Sequence, residues 1–113
     1  MEKYEEKRPW GKFERFTLNC LSTVKIITVE PDKQPSLQLH HNREEFWRIL
    51  DGEAEVTVGD KIVQAKRGDE FFIPKETKHR IKAGDFPVEF LEISFGEFDE
   101  KDEIRLEDDF GRA

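Results

Sequence analysis

Three polar side chains that can bind a metal ion stand at the ends of two neighbouring predicted strands. Gln38 and His40 alternate with leucines along the first strand, so both face the same side, about 7 Å apart at Cα. Glu45 begins the next strand, on a face that continues with Trp47 and Ile49. A carboxylate at the head of an apolar face is costly to bury unless a cation accompanies it. These side chains therefore indicate a cation site.

A second histidine joins this group from a later strand. His79 begins a strand whose same-face neighbours are Ile81 and Ala83, which repeats the pattern of a polar residue heading an apolar face. Imidazole nitrogen combined with amide and carboxylate oxygen suits a first-row divalent metal. Each residue alone is more often structural, but their shared position predicts one metal site with four ligands: Gln38, His40, Glu45 and His79.

The composition narrows the class of protein. The 113 residues include 26 acidic and 19 basic side chains, a formal net charge of −7, which gives no general attraction to nucleic acid or to an anionic membrane. The sequence contains no apolar run of the ~20 residues that span a bilayer, and it begins with charged residues rather than an apolar signal segment. We therefore expect a cytoplasmic protein whose partners include neither nucleic acid nor a membrane.

The cysteine content restricts the chemistry of the metal site. Cys20 is the only cysteine, which excludes an internal disulfide and a thiolate zinc cluster. A metal must therefore bind through nitrogen and oxygen. We expect the Cys20 side chain itself to be buried as a small apolar group.

Short runs rich in β-branched and aromatic residues, broken by turn residues, predict the strands that position the candidate ligands. Gly59 and Asp60, between two alternating runs, predict a type II′ hairpin. So many strands in so short a chain favour one domain, residues 1–113, with a closed or double-sheet antiparallel fold, since an open sheet would expose long edges. The expected strands are residues 12–18, 23–29, 36–40, 45–50, 54–58, 61–65, 70–73, 79–82 and 88–94.

The two ends of the chain give fewer signals. Trp10, next to Pro9, predicts that residues 1–11 fold back on the body of the domain. Residues 97–109 include eight acidic side chains and two basic ones, a composition typical of a solvated acidic tail with at most one helical turn.

The spacing of the candidate ligands resembles the two sequence motifs of the cupin superfamily. The first cupin motif, Gly, His, His, Glu and Gly, corresponds in every interval to Asp32, Gln38, His40, Glu45 and Gly52. The second, Gly, Pro, Gly, His and Asn, corresponds to Gly68, Pro74, Glu76, His79 and Ala83. This resemblance implies an all-β cupin fold, a double-stranded β-helix or jelly-roll barrel.

A closer resemblance, through most of the chain, is to the type II mannose-6-phosphate isomerase domain, which commonly forms the C-terminal part of bifunctional mannose-1-phosphate guanylyltransferases. The shared segments include Arg8-Pro9-Trp10-Gly11, Ser36-Leu37-Gln38-Leu39-His40-His41, His79-Arg80 and Glu107-Asp108-Asp109-Phe110-Gly111-Arg112. Two positions depart from the family pattern: Asn42 and Phe46 stand where the family has histidines, near the expected mouth of the site.

The resemblance implies a metal-dependent isomerase that interconverts mannose 6-phosphate and fructose 6-phosphate through an enediol. It implies zinc first, because phosphomannose isomerases use a Gln, His, Glu, His zinc set; manganese, iron, cobalt and nickel remain alternatives. It also implies a homodimer.

A sugar phosphate would need cations and a base in addition to the metal. Arg43 and Arg80 adjoin the candidate ligands in sequence and, with Lys25, are the candidates for binding the phosphate. His41 and Glu44 are weaker candidates for the general base. Two other functions stay open: a non-catalytic cupin that binds a sugar or sugar phosphate through its metal, and another metal-dependent cupin enzyme such as an iron oxygenase.

Overall fold

The fold consists of antiparallel strands joined by turns. The computed structural model describes residues 3–111, and this part of the chain forms no helix, so it offers none that is long and apolar enough to cross a membrane. The strands are β1 (Tyr4–Arg8), β2 (Gly11–Arg15), β3 (Ser22–Val29), β4 (Leu37–Leu39), β5 (Glu44–Asp51), β6 (Ala54–Val58), β7 (Lys61–Ala65), β8 (Glu70–Ile73), β9 (His79–Ala83), β10 (Val88–Phe95) and β11 (Ile104–Glu107).

Two sheets and a hairpin make up the architecture. One sheet has four strands in the order β3-β10-β5-β8, the other has five in the order β11-β4-β9-β6-β7, and β1 pairs with β2. Every pairing is antiparallel. The predicted double-sheet antiparallel fold is therefore confirmed.

The core lies between the facing surfaces of the two sheets, because alternate residues of the central strands are apolar. On β5, Trp47 and Ile49 are buried, and on β9, Ile81 and Ala83 are buried. These are the faces on which the sequence places Glu45 and His79. Both candidate ligands therefore begin strands whose inner faces continue into the core.

The β6–β7 connection confirms the predicted hairpin. Val58 pairs with Lys61 across a two-residue turn, and Gly59 has a φ of +60°. A type II′ turn requires a positive φ at its first central residue only, which glycine adopts at no steric cost.

Two turns keep a glycine-like backbone without glycine. Asp32 and Glu76, which occupy glycine positions of the two cupin motifs, have φ values of +61° and +58°. The Glu76 amide donates to the carbonyl oxygen of His40 at 2.6 Å. The left-handed turn is thus retained, and it fixes the backbone of a candidate ligand.

The prediction that residues 97–109 form a solvated acidic tail is wrong for part of this segment. Residues 104–107 form β11, which pairs with β4 through Ile104 opposite Leu39. This strand is held by main-chain hydrogen bonds to a sheet edge, which do not depend on apolar side chains, so its exposed and charged sequence did not predict it. Arg112, at the end of the family-like segment, lies outside the described residues.

The N-terminal segment folds back as predicted, but not through Trp10. Lys3 Nζ donates to Glu14 and Glu70, which attaches the β1–β2 hairpin to the four-stranded sheet. Trp10 lies at the tip of that hairpin and is 74% exposed. Met1 and Glu2 lie outside the described residues.

The expected burial of Cys20 is wrong. The residue is exposed, in the loop between β2 and β3, where it lines a surface groove together with Arg15 and Phe16. A loop with no strand alternation presents this side chain to solvent.

Candidate metal centre

Three of the predicted ligands converge in the interior at one end of the sheets. His40 directly follows β4, Glu45 lies on β5, and His79 begins β9; all three are at most 2% exposed. His40 Nε2 lies 3.4 Å from Glu45 Oε2, and His79 Nε2 lies 3.7 Å from Glu45 Oε1. Their ligand atoms all lie within 4.8 Å of one another.

Hydrogen bonds to main-chain carbonyl groups set the tautomers of both histidines. His40 Nδ1 lies 2.5 Å from the carbonyl oxygen of Asp102, and His79 Nδ1 lies 3.0 Å from that of Thr77. A carbonyl oxygen only accepts, so each Nδ1 carries the proton and each Nε2 keeps its lone pair. Both lone pairs therefore face Glu45, as in protein metal sites whose ligands are oriented by surrounding groups.

Gln38 lies beside this group. It stands directly opposite His79 across the β4–β9 pairing, and both side chains line a small cavity of about 80 Å³. Its Oε1 accepts a hydrogen bond from Ser36 Oγ at 3.2 Å. The Gln38 amide thus lies beside His79, one member of the cluster formed by His40, Glu45 and His79.

The donor set fits a divalent metal. Two ligands at about 2.1 Å from a tetrahedral ion are separated by about 3.4 Å, close to the spacing of the Glu45 oxygens from the histidine nitrogens. His79 Nε2 is fully buried and has no hydrogen-bond partner among the described residues, a costly arrangement that a metal bond removes. Burial also lowers the pKa of His79, which keeps its imidazole neutral, the form that binds a metal.

Arg43 contacts the cluster directly. Its Nε donates to Glu45 Oε2 at 3.1 Å, and its Nη2 donates to His40 Nε2 at 3.1 Å. Its side chain is 7% exposed. In this arrangement the guanidinium neutralises the buried carboxylate rather than facing solvent.

The other two candidate phosphate-binding residues, Arg80 and Lys25, differ in their exposure to solvent. Arg80 donates to the carbonyl oxygen of Pro35 and to Glu107, and it lines the same cavity as Gln38. Lys25 is exposed and its Nζ lies 4.3 Å from the ring centroid of Phe98.

Neither candidate base from the sequence lies in the cavity beside the cluster. His41 is exposed, with Nδ1 3.6 Å from Glu76 Oε1. Glu44 lines the surface groove near Cys20, on the opposite face of β5 from Glu45.

The two departures from the family pattern, Asn42 and Phe46, lie in different surroundings. Phe46 is buried on the outer face of β5, where its ring packs 5.2 Å from that of Phe16. Asn42 is exposed, and its backbone amide donates to Asp102. The expectation that Phe46 stands near the mouth is wrong, because alternation turns it to the opposite face from Glu45.

Glu92 on β10 is a candidate functional residue that the sequence interpretation missed. It is 8% exposed, shares its inner face with Val88, Phe90 and Ser94, and lines the small cavity together with Gln38. Burial, reinforced by the negative charge of Glu45, raises the pKa of Glu92 to about 7. The sequence does contain a signal for Glu92: on β10 it shares a face with the apolar residues Val88 and Phe90, just as Glu45 shares a face with Trp47 and Ile49.

A C-terminal strap, defined here as residues 98–102, was also missed. The Phe98 ring lies 4.4 Å from the Arg43 guanidinium carbon, and the carbonyl of Asp99 accepts from the same side chain. Asp102 accepts from His40 and, through its carboxylate, from the amide of His41. The strap therefore contacts the cluster through His40 and packs against Arg43.

A family model described as "Mannose-6-phosphate isomerase C-terminal" matches residues 2–108. The chain belongs to this family. The chain is 39% identical over 108 residues to the xanthan biosynthesis protein XanB of Xanthomonas campestris pv. campestris, covering 94% of this chain and 23% of XanB. The chain spans about a quarter of the length of that relative.

Solved structures show the same fold. A putative sugar phosphate isomerase from Acidithiobacillus ferrooxidans matches with 25% identity and a TM-score of 0.62, over 67% of this chain and 51% of that one. Oxalate decarboxylase from Bacillus subtilis, a protein with Mn(II) centres, matches with 26% identity and a TM-score of 0.67, over 75% of this chain and 24% of that one. The predicted cupin double-stranded β-helix is confirmed, and its buried histidines and glutamate are suited to bind a metal.

Proposed function

We propose that this member of the mannose-6-phosphate isomerase C-terminal family interconverts mannose 6-phosphate and fructose 6-phosphate. The observation that carries the proposal is the buried group of His40, Glu45 and His79, with both Nε2 lone pairs set toward Glu45. The family membership and the sugar phosphate isomerase with the same fold support the substrate class.

The metal would be held by the buried group together with the adjacent amide: Gln38, His40, Glu45 and His79. A bound divalent ion, zinc first among those expected, would polarise oxygen atoms of the sugar as a Lewis acid. Glu45 supplies the only negative charge among these ligands, so the loaded site keeps a net positive charge that favours a developing oxyanion.

Glu92 is the group that we assign to proton transfer. Isomerisation of an aldose to a ketose removes a proton from the carbon next to the carbonyl and returns it to the neighbouring carbon. Glu92 is a buried carboxyl that lines the same cavity as Gln38 and His79. Without a metal, burial and the charge of Glu45 raise the pKa of Glu92 to about 7, so this carboxyl can hold a proton near neutral pH, as an acid–base group must.

The substrate phosphate would lie toward the mouth of the site. Arg43, Arg80 and Lys25 supply positive charge there, and each now contacts another part of the chain. Charge-assisted hydrogen bonds from an arginine to phosphate are among the stronger ones in proteins. We therefore expect mannose 6-phosphate to bind more tightly than mannose.

We expect the strap, residues 98–102, to move when a sugar binds at the proposed site. The cavity of about 80 Å³ is smaller than the roughly 300 Å³ at which small-molecule pockets begin. Residues 98–102 contact His40 and Arg43, two residues of the proposed site. We therefore expect substrate binding to displace this segment.

That the protein forms a homodimer and lies in the cytoplasm remain predictions.

The test is turnover by the metal-loaded protein. Protein treated with a chelator is loaded with one equivalent of zinc, manganese, iron, cobalt or nickel, and formation of fructose 6-phosphate from mannose 6-phosphate is followed in a coupled assay. We expect turnover with at least one metal, because the ligand set suits several first-row ions. Glu45→Gln should lose that turnover and most of the bound metal.

Glu89→Gln is the matched control, since Glu89 is an exposed carboxylate on β10. It should keep wild-type metal content and turnover. Binding of mannose 6-phosphate without turnover by any metal form would favour a sugar-phosphate-binding cupin. Oxygen consumption by the iron form instead would favour an oxygenase.

A further inference from the structure

The guanidinium of Arg43 occupies hydrogen-bonding sites on two of the metal ligands. Nη2 donates to His40 Nε2 and Nε donates to Glu45 Oε2, each at 3.1 Å. The side chain is almost fully buried, so these bonds replace solvent for both the arginine and the carboxylate. The Phe98 ring also packs against the guanidinium, with its centroid 4.4 Å from Cζ.

The bond to His40 uses an electron pair that a metal also needs. A neutral imidazole with its proton on Nδ1 has one lone pair, on Nε2, and Asp102 accepts from Nδ1. That lone pair can accept from Arg43 or bind a metal, but not both. A carboxylate oxygen has two lone pairs, so the bond from Arg43 to Glu45 carries no such restriction.

Charge adds to this competition. A guanidinium held against His40 and Glu45 would lie within a few ångströms of a divalent ion bound by the same atoms. Like charges at that distance, in a buried site, repel strongly.

We propose that Arg43 is an internal cation that competes with the metal for this site and is displaced from His40 when the metal binds. This proposal rests on the proposed metal centre and does not depend on isomerase activity. Without metal, Arg43 neutralises Glu45 and satisfies His40. With metal, the guanidinium turns toward the strap, where the carbonyl of Asp99 and the ring of Phe98 already contact it. This places it nearer the mouth, where an anionic group of a substrate enters.

Zinc affinity of Arg43→Met tests the proposal without any sugar. Zinc is titrated into chelator-treated protein against a chromophoric competing chelator, and thermal unfolding is recorded with and without zinc. We expect Arg43→Met to bind zinc about tenfold more tightly than wild type, because both the competing donor and the like charge are gone. Its metal-free form should unfold at a lower temperature, since Glu45 loses its buried partner, and zinc should restore most of that loss.

Arg48→Met is the matched control. Arg48 lies on the same strand, and its guanidinium bonds to Glu14 and Glu70 outside the cluster. Its zinc affinity should equal that of wild type. Equal or weaker zinc binding by Arg43→Met would overturn the proposal, since it would show that Arg43 supports the ligands rather than competing with the metal. Failure of both wild type and Arg43→Met to bind zinc would overturn it too.

Wild-type protein provides a readout that does not depend on whether the variant folds. The Arg43 side-chain Nε–H, assigned by NMR, should be protected from solvent exchange in the metal-free protein by its buried bond to Glu45. One equivalent of zinc should shift that resonance, because the same guanidinium leaves His40, while the Arg48 Nε–H should not change. An Arg43 resonance unaffected by saturating zinc would refute displacement, whether or not the protein turns over sugar phosphate.

Discussion

Glu92 and His79 are buried ionisable groups whose pKa values shift away from their ordinary ranges. Burial and the charge of Glu45 raise the pKa of Glu92 to about 7, and burial lowers the pKa of His79. Between its unfolded and folded pKa values, Glu92 is therefore protonated in the folded protein but ionised in the unfolded chain. His79 is neutral in the folded protein at pH values where it is protonated in the unfolded chain. The two groups give the stability opposite dependences on pH.

The signs of these dependences follow from the directions of the shifts. The contribution of Glu92 is fully present below the unfolded pKa of about 4.3 and is lost as the pH rises through about 7. The contribution of His79 is present above about pH 6.5 and is lost as the pH falls through its lowered folded value. Replacing Glu92 should remove the first effect and leave the second.

We therefore expect Glu92→Gln to gain stability relative to wild type as the pH rises. Between pH 5 and pH 8 the difference in free energy of unfolding should change by up to about 3 kcal/mol in favour of the variant, because the amide does not ionise. Urea denaturation at both pH values, with a chelator present, measures it. An exposed control, Glu89→Gln, should show no such change; a Glu92→Gln difference that is constant with pH would contradict the buried, raised-pKa assignment.

At the level of the strands, the inner faces of β5 and β9 could be predicted, because on each strand the alternate residues after the first are apolar. Glu45 on β5 and His79 on β9 followed directly from that alternation, and both are buried. Strand β11 could not be predicted in this way, because it is held by main-chain pairing to β4 at a sheet edge. The strap contacts depend on how a distant segment folds over His40, which no local pattern encodes.

The position of Arg43 next to the candidate ligands could be predicted from the sequence, but its side-chain contacts could not. Its position next to the ligands made it a candidate for binding phosphate, which is a matter of sequence distance. Its bonds to His40 and Glu45 depend on side-chain direction in a turn, where strand alternation no longer holds. Glu92 is the opposite case, since the alternation of β10 was sufficient to find it.

The tight approach between the β5–β6 turn and the start of β10 gives a test at this scale. Gly52 has a φ of +85°, and a Cβ there would lie 2.4 Å from the carbonyl oxygen of Pro87. Gly52→Ala should lower the free energy of unfolding by about 3 kcal/mol or more, from the left-handed backbone and the clash together.

Gly68→Ala separates these two costs. Gly68 has a φ of +92°, but a Cβ there would meet nothing within 4 Å, so this variant should lose only about 1–2 kcal/mol. Chemical denaturation of both variants measures the difference. Equal losses would show that the contact between Gly52 and Pro87 is not as close as described.

For the whole molecule, the candidate ligands join the two sheets. Glu45 belongs to the four-stranded sheet, whereas Gln38 and His79 belong to the five-stranded sheet. Glu92, on the four-stranded sheet, faces the same cavity as Gln38. The candidate ligands and Glu92 are therefore positioned mainly by the packing of the two sheets against each other.

We propose that this cavity carries enediol chemistry on mannose 6-phosphate, with Glu92 moving the proton. Exchange of solvent deuterium into the sugar, followed by NMR in D₂O, tests it most directly, because a proton held by Glu92 between removal and return can exchange with water. Metal-loaded wild type should introduce deuterium at C1 or C2 while fructose 6-phosphate forms, and Glu92→Gln should lose both with its metal content unchanged. A folded, metal-loaded wild type that binds mannose 6-phosphate yet shows neither exchange nor product would contradict the account.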